Sequence, residues 1–169
     1  MMGRVKRSTV AAGATTLTLL LGGCSGIGSG EAATVDGKTI SQSDLQEVTD
    51  QFNAVAQQPA TPSQVLDTLI KAPALKQMVA GSGQEVTDNE LLSQLASLQG
   101  APAQPNPLMA DYLHGLVYSQ MVGEVQPELL ADVDVEVNPR YGSWDPETLT
   151  LADQTPEWIA PQTSLEPDN

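Results

Sequence analysis

The chain has 169 residues with 21 acidic and seven basic side chains, which give it a net charge of −14. Three of the basic residues lie among the first seven positions, so the residues from Cys24 onward carry four basic against 21 acidic side chains, a net charge of −17. Nucleic acids and anionic lipid headgroups are both bound through clustered lysines and arginines. The composition therefore argues against a nucleic acid partner and against attachment to a membrane by charge.

The N-terminal segment has the pattern of an export signal. A basic stretch, residues 1–7, precedes an apolar stretch, Val10 to Leu21. This apolar stretch is too short for a membrane-spanning helix, which needs roughly 20 residues. It leads into Leu-Gly-Gly-Cys, which resembles the lipobox of bacterial lipoproteins and predicts cleavage between Gly23 and Cys24.

Lipidation of Cys24 is favoured over the alternative, a general signal peptide with a chance cysteine. Cys24 is the only cysteine, so it has no partner for an intrachain disulfide, and a diacylglycerol on its thiol gives it a role. Several acyl chains on one N-terminus anchor a protein stably, whereas one chain binds only marginally. We predict an exported protein held by lipid on the outer face of the cell membrane.

Composition divides the exported part into three segments. Residues 24–33 are rich in glycine and other small residues, which is typical of a flexible tether. Residues 34–145 carry regular apolar patterns and are predicted to form one helical domain. Residues 146–169 are rich in proline and acids, so we expect a poorly ordered acidic tail with a docking contact at Trp158 and Ile159.

The helical domain begins with a predicted hairpin and a capped helix. Asp36-Gly37 stands between β-forming residues, as in a tight hairpin turn. Ser41 is a predicted N-cap, since Asp44 follows three positions later and apolar residues then recur at helical spacing. We expect this helix to end near Gln58-Pro59.

Three further helices are predicted along the chain. One starts at Pro62, is kinked or broken at Pro73, and ends at residues 81–83. The next starts with the capping box Thr87 to Glu90, and residues 100–107 form a loop. The last runs from 108 to 122, and a short turn follows at 128–130. The predicted apolar face of this last helix, 108–122, comprises Met109, Tyr112, Leu113, Leu116, Val117 and Met121.

The segment Asp132 to Val137 alternates acidic and valine residues, which predicts a half-buried strand with the valines inward and the acids outward. The two halves of the hairpin around Val35 are its expected pairing partners. A calcium loop is the alternative, but an EF-hand needs glycine and glutamate where this chain has Val137 and Ser143.

The order of motifs resembles the SurA N-terminal-like domain of SurA- and PrsA-type foldases. The resemblance rests on the segments at 35–40 and 85–91, and on Val135 to Asp145, which is similar to the end of short SurA-like lipoproteins of actinobacteria. It covers roughly residues 33–145. It implies a mainly α fold of about four helices, a small β element that pairs N-terminal and C-terminal strands, and a surface for unfolded polypeptide.

Catalysis is not carried over from the family. Full-length members often have a parvulin prolyl-isomerase domain, which needs about another ninety residues after the chaperone part, and that domain is expected to be absent here. His114 is the only histidine. It is interpreted as structural or solvent-facing rather than as a base or ligand, because catalysis and zinc binding both need partners in reach. We predict no enzyme, no cofactor and no metal.

Six apolar and aromatic residues are candidates for peptide binding or for the core. Methionines repack against varied partners, but on helical stripes they more often fill a core. The two aromatic residues after position 140 either anchor a peptide or lock the closing segment onto the helices, with Arg140 pairing a nearby acid. The six candidates are Met78, Met109, Tyr112, Met121, Tyr141 and Trp144.

The sequence thus predicts a membrane-anchored lipoprotein whose non-catalytic, chaperone-like module binds unfolded or exported polypeptides. The alternative is an envelope assembly or structural lipoprotein that docks to one folded partner. An enzyme with an unrecognised site is the least favoured, because histidine, cysteine and basic residues are scarce.

Overall fold

A tight hairpin forms the first element of the domain in a computed structural model that describes residues 27–131 and 133–152. Strands β1 (Glu31–Val35) and β2 (Lys38–Ser41) pair in antiparallel fashion. The predicted end of the tether at residue 33 is therefore wrong, because residues 31–33 lie in β1 and Ala32 and Ala33 are fully buried. Asp36 and Gly37 connect them with φ of 47° and 73°. Both values are positive, as a type I′ turn requires, so the predicted Asp-Gly turn is confirmed.

A third strand, β3 (Val135–Val137), pairs with the other side of β1. The predicted pairing of N-terminal and C-terminal strands is therefore confirmed, although the partner is β1 alone and not both halves of the hairpin. The strand is shorter than the predicted six residues, because β1 ends at Val35 and Val133 is left without a partner in the ladder. The last bond of the ladder is donated by the Asp36 N–H to the Asp134 carbonyl, at 2.9 Å.

Helix α1 (Gln42–Asn53) begins at the predicted cap, where the Ser41 hydroxyl accepts a hydrogen bond from the Asp44 N–H at 3.0 Å. The helix ends several residues before Gln58-Pro59, so that prediction is wrong. The side-chain amide of Asn53 is the physical reason. It donates to the Ala60 carbonyl at 2.9 Å and accepts from the Ala60 N–H at 2.8 Å, which holds the intervening residues in a loop.

Helix α2 (Pro62–Val79) runs through Pro73 without a break. A proline inside a helix costs about 3 kcal/mol. Packing offsets this cost, since Ala72, Ala74 and Leu75 on either side of Pro73 are buried while Pro73 itself is exposed. Of the predicted kink or break at Pro73, the break is therefore wrong, and the kink stays a prediction.

Helix α3 (Asp88–Ala96) starts with the predicted capping box, in which the Thr87 side chain and the Glu90 side chain each accept from the other residue's backbone N–H. The predicted loop at 100–107 and the short turn, a 3₁₀ helix at Pro127–Leu129, are also present. The described residues form a mainly α fold with four helices and small antiparallel strands, as predicted. None of the described helices has the length and apolar character needed to cross a membrane.

Helix α4 (Met109–Val122) makes the most extensive helix contact of the domain, with α2. Its buried face differs from the predicted one, because His114, Gly115 and Tyr118 are buried while Met121 is 42% exposed. Gly115 explains why α4 turns this different face towards α2. A Cβ at this position would lie 2.5 Å from Cγ2 of Thr68 on α2, so the missing side chain allows the helices to approach closely.

The segment after Asp145 folds back instead of starting a poorly ordered tail. Strand β4 (Ser143–Asp145) pairs with β5 (Thr150–Ala152), and the Leu151 N–H donates to the Asp67 carboxylate on α2 at 3.0 Å. Leu149 is buried in the connecting turn. The prediction of a poorly ordered tail is wrong for residues 146–152, because their acidic, proline-containing sequence does not reveal these contacts. The rest of the predicted tail, with Trp158 and Ile159, lies outside the described residues.

We predict that Gly115→Ala destabilises the protein by about 1–2 kcal/mol, through overpacking against Thr68. In an uncrowded helix, a glycine-to-alanine exchange would instead raise the free energy of unfolding by about 1 kcal/mol. The sign of the change therefore shows whether Gly115 is crowded. The Thr68 hydroxyl donates to the Gln64 carbonyl at 3.0 Å, which holds the methyl group towards Gly115. The free energy of unfolding is measured by denaturant titration.

Thr68→Ser provides the matched test, because it keeps the hydroxyl and removes the methyl group. Adding it to Gly115→Ala should recover part of the lost stability, because the Thr68 carbonyl oxygen would still lie 3.1 Å from the added Cβ. Gly30→Ala serves as the control, since a Cβ there meets nothing within 4 Å. A Gly115→Ala variant more stable than the parent would contradict the close approach of α2 and α4.

Candidate functional site

An open cleft of about 400 Å³ lies between the β1–β2 hairpin and helix α2, and the start of α4 and the 3₁₀ helix close its ends. We call it the hairpin cleft. A volume of this size accommodates a few side chains rather than a folded partner. Its floor is apolar and buried, and it is formed by Ile40, Leu69, Ile70, Ala74 and Leu130.

The rim of the hairpin cleft carries charge. Lys76 donates to the Asp111 carboxylate at 2.6 Å and lies 4.0 Å from Asp88. Lys38 is exposed and forms no ion pair with the described residues. Lys38 and Ile40 are two residues apart on β2, so both side chains lie on the same face of the sheet, which places a cation beside the apolar floor.

Strand β2 is an edge strand in the described part of the sheet, whose order is β2-β1-β3. Lys38 and Ile40 are registered with Val35 and Ala33 of β1. Because neighbouring residues of an antiparallel strand direct their backbone groups to opposite sides, Thr39 directs its N–H and C=O away from β1. The hairpin cleft therefore combines an apolar floor, a cation and one residue of open strand edge.

The six residues predicted for peptide binding or core packing do not line this cleft. Met109 and Tyr112 are buried in the main core. The Tyr112 ring packs edge to face on Phe52 with centroids 5.0 Å apart, and burial raises the pKa of its hydroxyl to about 12. Tyr112 also borders a shallower cleft near Leu151.

The other four candidates are scattered. Met78 packs on a small cluster around Tyr118, and Met121 is exposed. Tyr141 and Trp144 are half-buried against the main core. Arg140 was expected to pair with an acid, but it donates to the Gln42 side chain at 3.3 Å and lies over the Tyr141 ring. The structure therefore does not bring the six candidates together in one groove.

Gly23 and Cys24, the predicted cleavage and lipidation residues, lie outside the described residues. The residues that do form the cleft were not singled out from the sequence. The signal was present in Lys38-Thr39-Ile40, where alternation puts a lysine and a buried isoleucine on one face. The floor residues from α2 and Leu130 gave no separate signal, because core residues share their pattern.

His114 connects α4 to the start of α3. Its Nε2 lies 2.7 Å from Oδ1 of Asp88, and since a carboxylate only accepts hydrogen bonds, the ring donates. The ring is buried, and its Nδ1 has no hydrogen-bond partner among the described residues. The described residues contain no cluster of three or more potential metal ligands. The buried His114 ring thus links α4 to the start of α3 through Asp88.

The sequence model of a family described as SurA-like N-terminal domain matches residues 2–103, which is more than half of the chain. The chain belongs to this family, and the resemblance predicted from its motifs is confirmed. This domain is the non-catalytic chaperone module of the family. The match includes both hairpin strands and helices α1 to α3. No curated protein and no solved structure matches the chain.

We predict that Asp88→Asn lowers stability at neutral pH and that the loss disappears in acid. The hydrogen bond from His114 and the nearby Lys76 hold the pKa of Asp88 below its usual value. A lowered folded-state pKa means that the carboxylate stabilises the fold above the ordinary pKa of about 3.9, and that this stability is lost as the pH falls through the lowered value.

Thermal unfolding of both proteins between pH 7 and pH 2 measures the effect. The midpoints should differ at pH 7 and converge once the pH has fallen below the lowered pKa of Asp88, where the parent's carboxylate is protonated. The difference is small, because Asp88 is largely exposed and its interactions are screened. Midpoints that differ equally at pH 7 and pH 2 would show that the carboxylate charge is not what stabilises the fold.

Proposed function

We propose that the protein is a membrane-anchored, non-catalytic, chaperone-like module that binds unfolded or exported polypeptides. The single observation that carries this proposal is an apolar cleft bordered by an open strand edge, in a member of the SurA-like N-terminal domain family. Apolar side chains of an unfolded segment would enter the cleft, and its backbone would pair with the edge. Such binding needs no catalytic group.

Attachment through lipid on Cys24 completes the proposal. The predicted lipobox supports it, and the charge of −17 on the residues from Cys24 onward gives no electrostatic help at an anionic membrane surface. A lipid anchor followed by the few glycine-rich residues before β1 would hold the domain close to polypeptides that emerge from export.

We expect Cys24→Ala to release the full chain into the soluble fraction or to leave its signal segment uncleaved, because the acceptor of the lipid is missing. Membrane fractionation with mass measurement of the N-terminus distinguishes these states. Ser25→Ala, which retains Cys24, is the control and should stay anchored. A Cys24→Ala protein that is cleaved and still membrane-bound would refute attachment through Cys24.

Aggregation of a denatured client tests the chaperone part. We expect the full chain in vesicles of neutral lipid to slow aggregation, as followed by light scattering, and Leu129→Ser to weaken this effect severalfold. Leu129 is half-buried at the edge of the hairpin cleft, so its loss removes apolar surface from the cleft. Circular dichroism establishes that the variant is folded.

Leu98→Ser is the matched control, since Leu98 is 49% exposed and does not line the cleft. Equal activity of all three proteins would show that the cleft is not the binding site. Absence of activity in the parent, together with capture of one folded partner by in-cell crosslinking, would favour the assembly lipoprotein instead.

A further inference from the structure

The hairpin cleft differs in charge from the rest of the domain. Its lining contains Lys38 and Lys76 together with Asp36 and Asp111, so positive and negative side chains are balanced there. The other described residues contain 14 acidic but only two basic side chains. An acidic ligand therefore meets less repulsion at this cleft than elsewhere on the described surface.

Lys38 is the cation that remains available to a ligand at this cleft. Lys76 is neutralised by Asp111 at 2.6 Å. Outside the cleft, Lys71 pairs with Asp67 at 2.7 Å, and Arg140 contacts the Gln42 side chain. Lys38 forms no ion pair with the described residues, and it lies beside an apolar floor, so a carboxylate next to an apolar group would match both features.

The strand edge defines the spacing between those two groups. Hydrogen bonds from Asn138 to the Ala32 carbonyl and from Asp36 to Asp134 show that alternate β1 residues face β3, so Ala33 and Val35 face β2. Their partners are Ile40 and Lys38. Thr39 between them therefore offers its N–H and C=O to an added strand.

We propose that the hairpin cleft selects extended segments of the form apolar-x-acidic, with the middle residue paired to Thr39. The apolar side chain then lies over Ile40, and the carboxylate lies at Lys38, because side chains opposite each other in a ladder share a face. Antiparallel pairing, the more common kind, requires this order of residues. The inference rests on the proposed function and adds a sequence preference to it.

Three fluorescein-labelled peptides that differ at one position test the charge preference. Each contains Leu-Thr-X flanked by serine and glycine, where X is Glu, Gln or Lys, and binding to the full chain in phosphatidylcholine vesicles is followed by anisotropy. The Glu peptide should bind about two- to fivefold more tightly than the Gln peptide, as for an exposed ion pair. The Lys peptide should bind most weakly. The preference should vanish at about 1 M salt, where the screening length is about 3 Å.

Lys38→Gln should lower the ratio of the affinities for the Glu and Gln peptides to about one, because the cation that favours the carboxylate is gone. Arg140→Gln is the matched control, because it removes the same charge from an exposed residue outside the cleft and should preserve the preference. Equal binding of the three peptides to the parent, or an unchanged preference in Lys38→Gln, would overturn the selectivity and leave the proposed function intact. If none of the peptides binds, both the proposed function and this inference fail.

Backbone pairing is tested with N-methylated versions of the Glu peptide. A methyl group on the middle residue's nitrogen removes its hydrogen bond to the Thr39 carbonyl and should weaken binding about fivefold. A methyl group on the apolar residue's nitrogen, which faces away from β2, is the control and should have a much smaller effect. Equal affinities of the two methylated peptides would overturn pairing at Thr39.

Discussion

Strand β1 is held on both sides by segments that lie far apart in the sequence. On one side β1 pairs with β2, which follows it directly after the two-residue turn. On the other side it pairs with β3, which comes after all four helices in the sequence. Ala32 and Ala33 are fully buried between them. Asn138 strengthens the distant contact, since its backbone N–H donates to Ala32 and its side-chain amide donates to Glu31, both at 2.9 Å. The four helices therefore lie in the segment between β1 and β3, and the pairing of these two strands joins its ends.

Helix α2 has two functions in this arrangement. One side contacts α4 at the close approach of Thr68 and Gly115. Another side supplies Leu69 and Ile70 to the floor of the hairpin cleft. The proline at position 73 lies exposed at the border of the cleft, where the missing backbone N–H is tolerated because the flanking residues are well packed. The packing that stabilises α2 therefore also holds the residues of the cleft floor in position.

Charge is distributed so that most of the scarce cations serve local contacts. Lys71 and Lys76 pair with Asp67 and Asp111 across exposed or half-buried surface, where each pair contributes at most about 1 kcal/mol. Such pairs do little for stability, but they leave Lys38 as the cation beside the apolar cleft without a pairing partner among the described residues. A strongly acidic surface keeps the protein apart from other acidic surfaces, and Lys38 provides a local exception.

Local signals in the sequence predicted much of the fold. The Asp36-Gly37 turn and the caps at Ser41 and Thr87 were identified correctly, because each depends on backbone geometry within four residues. Element ends were less well predicted. Helix α1 ends where Asn53 bonds to Ala60, and α2 continues through Pro73 because of tertiary packing.

The sequence by itself determined the family, the hairpin and the four helices, since these follow from short-range motifs and apolar periodicity. The pairing of β1 with a strand near the C-terminal end was implied by the family resemblance. Only the tertiary structure decided which face of α4 is buried and which residues form the hairpin cleft. The role of Gly115 is not visible until its close approach to Thr68 on α2 is known, and the floor residues Leu69 and Leu130 have the same sequence pattern as other core residues. A cleft is a relation between distant segments, so no pattern within a single segment encodes it.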